Sequence, residues 1–177
     1  MAVEALRQLA KDKKAGKGLM HTRVKAISFD AEEEGLRGAY AYAKKHKEDF
    51  AKVPTYLYNI ECLYYVDDLF FMTSDINCSV KLSEEFADSC ANSAKKLGYP
   101  SETKDITFLT GGTDAGELAK HGVQATTLMG MPWDNSERAS VYHTPNDTID
   151  KVDKNAVKAG LEIFFDVLGR LDDETIS

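Results

Sequence analysis

The stretch FDAEEEGLRGA, residues 29–39, sets three glutamates side by side where an apolar run ends. Adjacent carboxylates repel one another unless water or a cation screens them. The run before them, residues 23–29, carries Val24, Ala26, Ile27 and Phe29 and predicts a strand. The run after them, residues 37–47, is rich in Ala, Tyr and Lys and predicts a helix. The acids therefore sit in a strand-to-helix turn. Two readings are open for them: a solvated turn, or a site that holds a cation.

Working outward, the same alternation continues. Residues 2–11 predict a helix with Val3, Leu6 and Leu9 on one face. Strands are expected at 55–60, 68–73, 106–109 and 124–129. Helices are expected at 83–97, with Ser83 as N-cap and Gly98 as stop, at 116–120, and at 155–171. Strands separated by helices predict an α/β fold, here a three-layer α/β/α sandwich with a mixed, mainly parallel sheet. In such sheets ligands bind beyond the carboxyl ends of the strands. Glu32, Glu33 and Glu34 follow one expected strand, Glu61 a second, Asp114 a third, and His143 the last after a longer loop. These acids and the histidine converge on one edge. Carboxylates with a histidine are the ligand chemistry of a zinc hydrolase, in which one carboxylate binds metal while a neighbour stays free as general base.

Composition bounds the alternatives. The 177 residues suit one domain, and 43% hydrophobic with 29% charged residues is ordinary globular content. Lys+Arg number 22 against 29 Asp+Glu, a net charge of −7, which argues against a general nucleic-acid partner. No apolar run approaches the ~20 residues that span a bilayer. The first residues lack the basic start and apolar stretch of a signal peptide, and Cys62, Cys78 and Cys90 are widely spaced without a CxxC, so a reduced, cytoplasmic protein is expected. There is no GxSxG, Walker or GxGxxG pattern to support a serine hydrolase or a nucleotide site. CLYYVDDLFFM, residues 62–72, reads as sheet strand and turn, and the lysines at 11, 13, 14 and 17 as a solvated turn.

FDAEEEGLRGA, NIE, GGTDAGELAKHGV and YHTPNDTIDKVD occur in that order along nearly the whole chain. In that order they resemble the blocks of the co-catalytic zinc aminopeptidases, the aminopeptidase Y and bacterial leucyl aminopeptidase group, whose fold glutamate carboxypeptidase and glutaminyl cyclase share. The resemblance implies a metal-dependent exopeptidase, most simply an aminopeptidase acting on peptides. It implies Glu32 as general base, Glu33 and His143 as ligands of one metal, and Glu61 as a ligand of the other. Glu61 stands where the family usually has Asp and is one methylene longer. Asp114 and Asp147 match supporting positions, Asp147 behind His143. Trp133 and Tyr142, on the loop before His143, are candidates for the wall of the substrate pocket, with surface packing as the alternative.

In the family two further ligands, a His and a bridging Asp, precede the helix with which this chain opens. The resemblance thus implies a single catalytic domain over residues 1–177 that lacks the family's N-terminal segment. It implies two zinc ions in the complete site and at most one, weakly held, here. His21 lies roughly 25 Å from the acids along an extended run. His46 lies about 15 Å along a helix, and His121 ends one; none is expected to substitute. An uncovered sheet edge, and self-association through it, also follow. The alternatives are a non-enzymatic interaction domain on the same scaffold, as in the transferrin receptor, and a glutaminyl cyclase relative.

Overall fold

The computed structural model of the chain describes residues 1–75, 78–106, 112–132 and 141–173. Five helices and six strands follow in the order α1 (Ala2–Lys14), α2 (Arg37–Phe50), β1 (Tyr56–Leu63), β2 (Leu69–Met72), β3 (Ser74–Asp75), β4 (Val80–Lys81), α3 (Glu84–Lys96), β5 (Glu102–Lys104), α4 (Asp114–Ala119), β6 (Gln124–Gly130) and α5 (Lys154–Asp172). The main sheet has the order β1-β6-β2-β5, with β1 parallel to β6, β2 parallel to β5, and β2 antiparallel to β6. β3 and β4 form a small separate ladder.

Side chains alternate across the strands and so build two cores. Phe70 and Met72 of β2 pack with Ala39 and Ala43 of α2 and with Ala115 and Leu118 of α4. Leu69 and Phe71 point the other way, into Phe86, Cys90 and Ala94 of α3 and Ala159, Ile163 and Val167 of α5. The layers are therefore α2 with α4, the sheet, and α3 with α5, as the sequence predicts. Ser83 caps α3 by accepting the Phe86 N–H at 3.2 Å.

Two expectations fail. Residues 23–29 form no strand, and the stretch 25–28 is exposed. The alternation suits a strand, but no strand of the described residues lies beside it, and β-structure is stabilised by its neighbour rather than by its own sequence. Phe29 packs instead edge-on against Tyr42 of α2, ring centroids 5.6 Å apart. In α1, Ala5 is buried while Val3 and Leu6 are exposed; the stripe through Val3, Leu6 and Leu9 is not the buried one. Of the strand expected at 106–109, Ile106 lies outside any strand and residues 107–109 lie outside the described set; β2 pairs with the polar β5.

Candidate metal centre

The three glutamates owe their place to the start of α2. Its first N–H groups have no partner inside the helix, and no side chain caps them. The turn supplies backbone carbonyls instead: Leu36 N–H donates to Glu32 O at 2.8 Å, Arg37 N–H to Ala31 O at 3.2 Å and Gly38 N–H to Asp30 O at 2.9 Å. A Cβ at residue 38 would collide with the Asp30 backbone, so glycine permits this closure.

Glu61 lies within β1 near its carboxyl end, paired in register with Met129 of β6. His143 sits on the loop between β6 and α5. That loop is held by Thr144 N–H donating to Val141 O at 3.0 Å and by Tyr64, whose hydroxyl donates to Asp147 at 2.6 Å. Tyr64 follows β1, so this bond ties the His143 loop to the strand that carries Glu61. The Tyr142 ring stacks on the His143 imidazole, centroids 3.9 Å apart at 19°. Four residues here adopt the left-handed conformation: Ala31 (φ 54°), Leu36 (φ 58°), Cys62 (φ 47°) and His143 itself (φ 56°). Such φ values in residues with side chains cluster where function demands a fixed geometry.

His143 Nε2 lies 3.2 Å from Glu33 Oε1. Both side chains are more than half exposed, and an ion pair in water adds little stability. The spacing fits another use. Two donors on one tetrahedral zinc, each at about 2.0–2.1 Å, stand roughly 3.3 Å apart. Around this pair the acids raise one another. Burial first, then Glu33 and Asp114, raise the Glu32 carboxyl above the ordinary glutamate range. Burial pushes Glu61 up to about 7, against the lowering hydrogen bond from Asn59, with Glu32, Asp114 and Asp75 adding to the rise. Asp114, at the start of α4, is raised by burial, Asp75 and Glu117. Its Oδ1 is buried without a hydrogen-bond partner among the described residues. A concentration of half-desolvated carboxylates with an orphaned oxygen is the charge environment a cation relieves.

The donor set is nevertheless short. Among the described residues no group of three or more His, Cys, Asp and Glu is arranged to hold a metal ion. Glu33 and His143 stand at ligand spacing, Glu32 feels the field of both, and Glu61 feels that of Glu32. The rejected histidines stay apart: His21 donates its N–H to Asp172 at 2.8 Å, and His46 pairs with Asp49 at 3.0 Å. Trp133 lies outside the described residues. Cys62, beside Glu61, is pushed by burial and by Glu61 up to about 12, so its thiol stays protonated and unreactive at neutral pH. Tyr64, Asn59 and Asp75 were not visible as site residues in the sequence. For Tyr64 and Asp75 the signal is spatial, since each acts on a residue far along the chain; Asn59 acts on Glu61 two residues on, within the NIE block.

A sandwich of this order, with acids and a histidine gathered at the carboxyl ends of β1 and β6, defines a zinc-exopeptidase type of fold. The sequence profile of Peptidase family M28 matches residues 1–168, and the chain belongs to that family. Solved structures share the fold. An aminopeptidase from Aneurinibacillus sp. strain AM-1 superposes with TM-score 0.60 at 24% identity, over 80% of this chain and 32% of the other. A zinc aminopeptidase from Bacillus subtilis gives 0.61 at 20%, over 81% and 34%. A glutaminyl cyclase from Porphyromonas gingivalis gives 0.55 at 18%, over 81% and 49%. The chain thus spans about a third of each aminopeptidase. No curated protein matches it.

Proposed function

We propose that this chain carries the base and part of the metal site of an exopeptidase that removes N-terminal residues from peptides. The observation that carries the reading is the Glu33–His143 pair at zinc-ligand spacing, with the raised Glu32 carboxyl in its field. Glu33 and His143 would hold one zinc ion and Glu61 a second position. Zinc bound there would supply a water acidic enough to attack a peptide carbonyl. Glu32 would accept that proton and pass it to the leaving amine, a task for which a carboxyl raised toward neutrality is suited. Tyr142 and Asp147 would orient His143, the one by stacking and the other through Tyr64. Asp114 would add negative field that favours a free α-ammonium. Trp133 would stand in the pocket wall. β1 pairs with β6 alone among the described strands, an edge that could take a strand from a second copy. No described helix is long and apolar enough to cross a membrane.

The short donor set favours a second reading, an interaction domain that keeps the scaffold without hydrolysis. Zinc titration by calorimetry separates the two, with His143→Ala as control. Tight binding that His143→Ala abolishes supports the peptidase reading; no His143-dependent binding favours the scaffold. Glu32→Gln then isolates the base. It should cost ~10²–10⁴-fold in peptide hydrolysis while zinc content stays level. Loss of zinc in that variant would make Glu32 a ligand instead.

A further inference from the structure

A buried chain of hydrogen bonds runs beneath the carboxylates. Asp75 is fully buried, and its Oδ2 accepts from both the backbone N–H and the hydroxyl of Thr113, each at 2.9 Å. The Thr113 hydroxyl oxygen lies 3.1 Å from that of Thr127. A hydroxyl has one proton, and that of Thr113 is committed to Asp75. Thr127 must therefore donate to Thr113. That leaves the Thr127 oxygen as acceptor, and Asn59 Nδ2 lies 3.3 Å from it. The same amide nitrogen has a second proton, and Glu61 Oε1 lies 3.2 Å away. Every proton of the chain is thus assigned, and with it the way round of the Asn59 amide.

We propose that Asn59, anchored through Thr127 and Thr113 to Asp75, is a positioning residue for the Glu61 carboxylate. A glutamate has three side-chain torsions, and one fixed donor selects among its rotamers. Oε1 is committed to Asn59, which leaves Oε2 as the oxygen offered to a metal ion. The anchor also sets Asp114. Asp75 Oδ2 approaches the first turn of α4 so closely that a Cβ at Gly116 would lie 2.7 Å from it. One carboxylate oxygen thereby fixes both the Asn59 chain and the helix start that bears Asp114. Valine would match the shape of Thr127 but leave an Asn59 N–H and the Thr113 oxygen without their partner. Partners behind metal ligands hold the ligand's orientation, and their loss lowers metal affinity by 10–100-fold in general.

The proposal rests on the reading of Glu61 as a ligand only for its consequence; its test needs no metal. In the metal-free chain, NMR would follow hydrogen exchange of the Asn59 side-chain amide and the three-bond couplings of Glu61. Thr127→Val should speed Asn59 amide exchange at least about tenfold and leave Glu61 averaged over rotamers, while Thr127→Ser keeps both as in the parent. Asn59→Ala, on the partly exposed strand β1, should average Glu61 without altering exchange of the Thr113 backbone N–H, and it serves should Thr127→Val not fold. A Glu61 that keeps one rotamer in Asn59→Ala overturns the proposal. Zinc calorimetry on Asn59→Ala then addresses the other reading: affinity should fall about tenfold. Unchanged zinc affinity with an averaged Glu61 would remove Glu61 from the ligand set and leave the positioning intact.

Discussion

Glu61 shows how a residue can serve a site at the expense of the fold. Its carboxyl is raised to about 7 by burial, against Asn59, with Glu32, Asp114 and Asp75 adding to the rise. It therefore holds a proton more tightly folded than unfolded. The resulting stability is fully present below the unfolded value of about 4.3 and is lost as pH rises through about 7. The shift sets an upper bound of about 4 kcal/mol. Glu32 and Asp114 are raised as well and act in the same direction. Thermal melts of the metal-free chain should therefore fall in midpoint between pH 5 and 8. Glu61→Gln keeps the acceptor for Asn59 and removes the charge. It should flatten that decline and stabilise the chain by about 1–3 kcal/mol at pH 8, with weaker zinc binding. A decline just as steep in the variant would place its origin elsewhere.

At the scale of elements, α5 is tied down by Asp153. Its side chain accepts from Asn155 N–H at 2.8 Å as the helix cap and from Val66 N–H at 2.9 Å, and its own N–H donates to Leu63 O at 2.9 Å. Asp153→Ala orphans two N–H groups at once, so denaturant melts should show a loss of about 2 kcal/mol, where a simple cap would cost about 1. The elements also show what the sequence could tell. The helix cap at Ser83 was legible, because capping is a local bond within three residues. The place of Glu61 near the carboxyl end of β1 was legible too, since the order of strand and turn gives it. The lack of a strand at 23–29 was not, because the pattern does not say whether a neighbour will be there to pair with it. β5 was hidden for the opposite reason: Glu102, Thr103 and Lys104 carry no apolar signal, yet pair with Phe70, Phe71 and Met72. Tyr142 was read as a candidate for the pocket wall, and the structure stacks it on His143; sequence gives the neighbour but not the direction of its ring. Asp75 could not be found at all, because an acid in a turn-like stretch gives no sign that it will be fully buried.

At the scale of the molecule, β1 has a strand partner on one side among the described residues, and the proposed self-association would use its other side. Sedimentation velocity over a dilution series should show a reversible dimer through the β1 edge, little affected by salt because backbone bonds rather than charges would hold it. A monomer at every concentration would end that proposal. The net charge of −7 also bears on zinc. Added salt should slow arrival of the cation by screening that field, yet leave the contacts of a bound ion little changed.

The left-handed backbone at Ala31, Cys62 and His143 has a bearing on speed. These residues hold conformations that cost of order 1–3 kcal/mol each, and the hydrogen bonds and stacking around them, not an ion, are what fix the loops. Capture then has no folding step to wait for. Stopped-flow traces with zinc should be single exponentials whose rate climbs in proportion to zinc concentration, and a rate that levels off would expose a loop motion that the backbone has not completed in advance.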